Sequence, residues 1–420
     1  MTILGNMQCF YTKQNPQSSD MGKFSIIWII NSFALGITLP VMTPMLLEKG
    51  ASLSSLALFM GLYSAVVVGT EVHSGIFADK HGRKLTFLLA KSLAIIGSLL
   101  LVLGDSVPLI ILSVIFLGFA RSFSSGSCEA LTIDCCIAKN GRDALHSITT
   151  RISIWETIGL SLGSLCAGFA TLGFERLGLG LNRYTGNYVL SMAIQLAVIL
   201  CTYAWVAEPS NPATRTDRKE KSSSLFSEIR GNRTLISLLF ISLALGFALS
   251  AIEKYWQPRL FQVAASDEIA SILLGIVSFI GFAGALGGSL AAGNLLKRYP
   301  DKIKLMLVLL RILMALGLIA LTTSTGSFTF ILWYGVSYLM LGMGTVAEQT
   351  LLNQAIPSKM RASLLSVSSF FLQAGGLLSS LFSVFWFRTF SDGINSLWII
   401  AAGILALSLI PLARTKMHQQ

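Results

Sequence analysis

The chain has 420 residues, of which 53% are hydrophobic and only 12% charged, with a mean hydropathy of +0.71. A water-soluble domain carries about a quarter of its residues as charges, so most of this surface faces a medium other than water. The 31 Lys and Arg outnumber the 20 Asp and Glu, yet they form no single stripe and lie in no nucleic-acid module, which argues against a nucleic-acid partner.

Residues 1–23 are polar and lack the basic, apolar, small-residue order of a cleavable leader, so they read as a tail before a retained anchor. Apolar segments of the length needed to cross about 30 Å of hydrocarbon then follow at 24–47, 53–77, 85–104, 108–136, 147–172 and 187–207. The long polar interruption 208–233 contains Pro209, Pro212, three consecutive serines and six basic residues. Six further segments cover 234–257, 268–296, 304–324, 327–353, 363–387 and 394–412. Backbone groups in lipid must be satisfied within the segment, so each segment is expected to be a helix; the alternation of a membrane barrel is absent. The predicted fold is an all-α membrane protein with twelve transmembrane helices. Its units are a six-helix bundle at 24–207, a linker at 208–233, a second six-helix bundle at 234–413 and a tail at 414–420.

Basic residues in the loops orient such a chain. With the N-terminus in the cytoplasm, 21 of the 31 Lys and Arg fall on the cytoplasmic side. Only Lys49, Arg176, Arg183, Arg259 and Arg388 fall on the other. Both termini and the linker are therefore expected to be cytoplasmic, in a multi-pass protein of the inner (plasma) membrane. The halves also echo one another. Lys84 is followed seven residues later by Lys91, and Lys304 seven later by Arg311; at the same offset Gly97 falls on Gly317 and Glu129 on Gln349. Parallel halves of this kind build a midplane site between two bundles that rock.

After the second segment the chain reads Gly75-Ile-Phe-Ala-Asp79-Lys-His-Gly82-Arg83-Lys84. Gly75 suits a close helix approach and Gly82 a tight turn, while Asp79 and the basic residues suit charge locking of helix ends. This stretch resembles the signature loop Gly-x-x-x-Asp-x-x-Gly-Arg-Lys of the major facilitator superfamily. Further stretches are similar to family motifs: Glu71-Val-His-Ser-Gly75, Arg121 with Ser124-Ser125-Gly126 and Glu129, and Gly159-x-x-x-Gly163-Ser164-Leu-Cys-Ala167-Gly168. The last is a degraded antiporter motif, with Ser164 in place of its Pro. The resemblance implies two pseudo-symmetric six-helix bundles, a monomer, and a conformational latch made of Gly75, Asp79, Gly82, Arg83 and Lys84. Asp134 is expected to partner Arg83.

Ionisable residues inside a span are expensive and call for a reason. Lys91 and Arg311 lie near the cytoplasmic ends of their segments and are expected to snorkel to the headgroups. Arg121 lies too deep for that. Arg121 and Glu129 share one helix face, and a hairpin to the fifth segment would bring them level with Arg151 and Glu156. Arg121, Glu129 and Glu156 are therefore the proton-coupling candidates, since a carboxylate beside an arginine gains or loses proton affinity as the pair makes and breaks; a static packing network is the alternative. Tyr63, Trp155, Glu348, Gln349 and Gln373 are the substrate-cavity candidates, and Glu253 with Lys254 an outer gate. Charges of both signs are among them, so no substrate class follows.

These features predict a secondary transporter of a small molecule, driven by a proton gradient and exporting, with a metabolite-importing symporter as the alternative. No Gly-x-x-x-x-Gly-Lys-Ser/Thr loop is present for ATP. The scattered His73, His81, His146 and His418 suggest no metal or catalytic cluster, so no cofactor and no enzyme activity are expected. The six cysteines read as small packing residues.

Overall fold

The computed structural model describes residues 18–124, 127–140, 145–178, 182–206, 230–356, 361–390 and 393–414. Most of the predicted linker and both tails lie outside them. Twelve helices among the described residues are long and apolar enough to cross a membrane, from Met21–Glu48 to Ile394–Arg414. They match the twelve predicted segments in order, and are called the first to twelfth spans below.

Local chemistry sets where several of them begin and break. The second span, Leu53–His81, opens on a reciprocal cap: Ser55 N donates to Ser52 Oγ (3.1 Å) and Ser52 N donates to Ser55 Oγ (2.7 Å). It ends at Gly82, whose φ of +98° turns the chain directly into the third span, Arg83–Leu103. The first span is interrupted at 39–41, around Pro40, between helices Ser18–Thr38 and Met42–Glu48. The fourth is described over Val107–Ser124 and Ser127–Asn140. The seventh, Arg233–Val263, continues through Pro258 and so runs past the end the sequence suggested.

The two halves are assembled by the same set of pairings. In the first half the first span packs on the fifth and sixth, the third on the fourth and sixth, and the second on the fourth. In the second half the seventh packs on the eleventh and twelfth, the ninth on the tenth and twelfth, and the eighth on the tenth. The closest pairing uses the same device in each. A Cβ on Gly163 would run into the Phe33 carbonyl, and one on Gly375 into the Leu243 carbonyl. Only glycine lets these backbones approach so far in a medium where helix association depends on van der Waals packing.

The halves meet where the fifth span lies on the eighth and the second on the eleventh. Gly168 faces the Ser271 and Ile272 carbonyls, and Gly275 faces those of Ser164 and Leu165. Ser54 Oγ donates to the Val384 carbonyl (3.0 Å) and Tyr255 OH to the Leu53 carbonyl (3.4 Å). At the same end, Glu48 binds Arg183 Nε (2.5 Å) and Asn182 Nδ2 (2.8 Å), and Arg183 comes within 4.0 Å of Asp267 across the interface. Toward the Gly82 end, Gln373 Nε2 on the eleventh span donates to Glu71 Oε2 on the second, at 3.1 Å. The protein is thus locked at the Lys49 end. This also revises the reading of Gly75: a Cβ there would meet nothing within 4 Å, so among the described residues no helix packs closely on it.

Candidate central cavity

A cavity of about 610 Å³ lies between the halves, within the range of small-molecule sites. Much of its wall is apolar, including Leu39, Met60, Leu117 and Leu372. Of the predicted residues, Tyr63, Arg121, Glu253, Lys254 and Gln373 line it.

Lys254 is buried, and its Nζ donates to Ser250 Oγ (2.5 Å) and to Ser380 Oγ. Because the seventh span extends beyond Pro258, Glu253 and Lys254 sit on the cavity wall rather than at a helix end. Arg121, on the opposite wall, makes no hydrogen bond or ion pair with a described residue, although it acts electrostatically on Tyr63, Lys91 and Glu156. Glu156 is half-buried and also feels Glu129, which is exposed. The structure therefore brings Arg121, Glu129 and Glu156 into one electrostatic neighbourhood without joining them by ion pairs among the described residues. Arg151 is exposed.

The other cavity candidates lie elsewhere. Trp155 packs in an apolar cluster of the first half with Phe24, Ile27 and Trp28. Gln349 is exposed and off the cavity wall. Glu348 is enclosed within the second half, where it accepts from Arg311 Nη2 (2.7 Å) and Ser242 Oγ (2.6 Å). Arg311 is 0% exposed, so the snorkelling expectation is wrong for it: its guanidinium finds a carboxylate on the tenth span instead of reaching for headgroups.

Snorkelling is wrong for Lys91 as well, and for a different reason. Lys91 is 3% exposed, its Nζ lies 4.9 Å from the Phe87 ring centroid, and the residue lines the cavity. No ion pair or hydrogen bond holds it among the described residues. The sequence reading also missed Tyr188 and Gln195, which line the cavity with a buried hydroxyl and a buried amide oxygen that have no hydrogen-bond partner among the described residues. Polar residues two helical turns apart on an apolar helix were their only sequence signal.

At the Gly82 end, Arg83 Nη1 donates to the Ala130 carbonyl (2.9 Å), and Lys84 Nζ to the carbonyls of Tyr203 (2.9 Å) and Val206 (2.6 Å). The signature loop thereby ties the third span to the fourth and sixth. Asp79 is exposed. The Asp134 side chain, expected to meet Arg83, lies outside the described residues.

The comparisons agree with this architecture. The sequence model of the Major Facilitator Superfamily matches residues 24–380. The chain is 23% identical over 420 residues to an MFS-type transporter, YxaM, of Bacillus subtilis (strain 168), covering 96% of this chain and 94% of that one. Among solved structures, the nucleoside transporter NupG is similar with a TM-score of 0.73 at 17% identity, covering 94% of this chain and 99% of its own. An inward-facing, occupied bacterial homologue of the lysosomal transporter Spinster has a TM-score of 0.69 at 14% identity, covering 96% of each. With twelve spans in two mirrored halves, a cavity between them, and a sequence match over most of its length, the chain belongs to the Major Facilitator Superfamily of transporters.

Proposed function

We propose that this transporter works by alternating access and couples movement of a small molecule to a proton gradient across the inner membrane. The observation that carries the reading is the cavity between two similar halves, which presents Lys91, Arg121, Glu253, Lys254 and Gln373 in a largely apolar wall. Locking at the Lys49 end supports a carrier caught with one face closed, and rocking the halves about the cavity would expose it to the other side. With both termini cytoplasmic, the closed face is the external one. Glu156, in the field of Arg121, and Glu253, on the wall, are the carboxylates best placed to take up and release a proton. The protein acts as a monomer and needs no bound cofactor. Export is the direction favoured by the likeness of the fifth span to the antiporter motif.

The test is substrate-triggered collapse of a pH gradient in everted membrane vesicles, run over a panel of drugs, metabolites and chelators. Antiport gives a collapse with wild-type protein that is lost in Arg121→Ala. Substrate-driven proton movement of the opposite sign would assign import. Transport that proceeds without any proton movement would overturn the coupling.

A further inference from the structure

The offset that places Lys91 on Arg311 also places Cys128 on Glu348. The structure keeps that correspondence, because Lys91 and Cys128 are electrostatic neighbours across the third and fourth spans, as Arg311 and Glu348 are across the ninth and tenth. In the second half the buried cation is neutralised by a carboxylate at 2.7 Å and closed into the bundle. The first half has a thiol where that carboxylate would be, and its cation opens onto the cavity. A buried charge left without a counter-charge costs several kcal/mol, so the position calls for a counter-ion from elsewhere.

The cavity provides none. Its charged lining among the described residues is Lys91, Arg121 and Lys254 against the single carboxylate of Glu253; Glu71 approaches only through Gln373. Lys254 is held by two serine hydroxyls, and Arg121, though in the field of Glu156, forms no ion pair with a described residue. Three cations on a low-dielectric wall focus a positive potential into the space between them.

We propose that the substrate is a soluble amphipathic organic anion, whose carboxylate, sulfonate or phosphate group is the missing counter-charge of Lys91 and whose apolar body lies on the apolar wall. Arg121 and Lys254 add to the attraction, and Lys91 carries the specificity. This inference rests on the transport reading and names the substrate class of the same cavity. Binding is read here without a membrane or a gradient, so its failure is distinct from a failure of proton coupling.

The probes are naphthalene-2-sulfonate and 2-naphthoate, their neutral match naphthalene-2-sulfonamide, and the cation 2-naphthylmethylammonium. Each is titrated into the purified full chain in neutral detergent, with affinity read from the concentration dependence of thermal unfolding. At least one anion should bind roughly tenfold or more tightly than the amide and the amine, the range of one charge-assisted contact. Lys91→Gln should abolish that preference and Lys91→Arg should keep it. Cys128→Glu provides an independent arm. It installs the acid found at the matching place in the second half, and should raise the unfolding temperature of the free protein while removing its preference for anions. Equal binding of all four probes would overturn the proposal, as would a preference that survives both Lys91→Gln and Cys128→Glu. Stabilisation by dioleoylphosphatidylglycerol but by neither naphthyl anion would also overturn it, by assigning the site to a lipid headgroup.

Discussion

The buried Arg311–Glu348 pair gives a stability prediction that can be worked from its geometry. The guanidinium is 0% exposed, the carboxylate 9%, and they are 2.7 Å apart with Ser242 as a second donor to Glu348. Arg311→Met would leave a carboxylate in the bundle with one hydroxyl for company. Breaking a buried pair costs roughly 3–5 kcal/mol, whereas replacing both partners by apolar residues is neutral or stabilising by about 1–4 kcal/mol. At about 2–4 °C per kcal/mol for a unit the size of one half, the single variant should unfold roughly 6–20 °C below wild type. Arg311→Met/Glu348→Met should recover most or all of that loss. Tryptophan fluorescence of the detergent-purified protein, scanned at one fixed rate because such unfolding is often kinetically controlled, reads the difference. A double variant that falls by the sum of the two singles would refute the pairing.

Lys91→Met should behave in the opposite way, leaving the unfolding temperature unchanged or higher because no acid loses its partner, while transport falls; the same melting scan checks it. Gly163→Leu should force the first and fifth spans apart at the Phe33 backbone, costing roughly 1–3 kcal/mol or more of overpacking, read as a lower yield of folded protein on size exclusion. Arg183→Ala removes a partly exposed pair with Glu48 worth about 1 kcal/mol or less. It should barely move the melt, yet raise maleimide labelling of a cysteine introduced at Ser54 by loosening the locked end. Asp79→Asn should insert normally and cycle slowly in a transport assay; a wild-type rate would remove the latch role.

The spans were legible because twenty apolar residues leave little choice of structure in lipid, and the Gly82 turn because a left-handed φ demands glycine. Depth and facing were not. Lys91 and Arg311 occupy the same register in their segments, and sequence distance from the headgroups made snorkelling the natural reading for both. What decided otherwise was a residue on another helix: Glu348 meets Arg311, while Cys128 stands beside Lys91. A seventh segment ending at 257 puts Glu253 and Lys254 near a helix end, but the helix runs on to Val263 with Pro258 in its interior. Glu348 and Gln349 are adjacent, and only packing shows that one turns into the bundle and the other away from it.

A duplicated fold offers a comparison that a single bundle cannot. Both halves place a buried basic residue at one position of a peripheral span, and they differ in what faces it. A half that only had to be stable would keep the carboxylate, as the second half does, since an internal pair settles the charge in every state of the cycle. Replacing it by a thiol leaves the cation short of its partner whenever the cavity holds no anion, and relieved of that deficit whenever it does. The first half would then be most stable around its occupied cavity, and binding itself would supply part of the free energy that distinguishes a loaded carrier from an empty one. The second half, with its charge already settled, would serve as the rigid body against which the first one rocks.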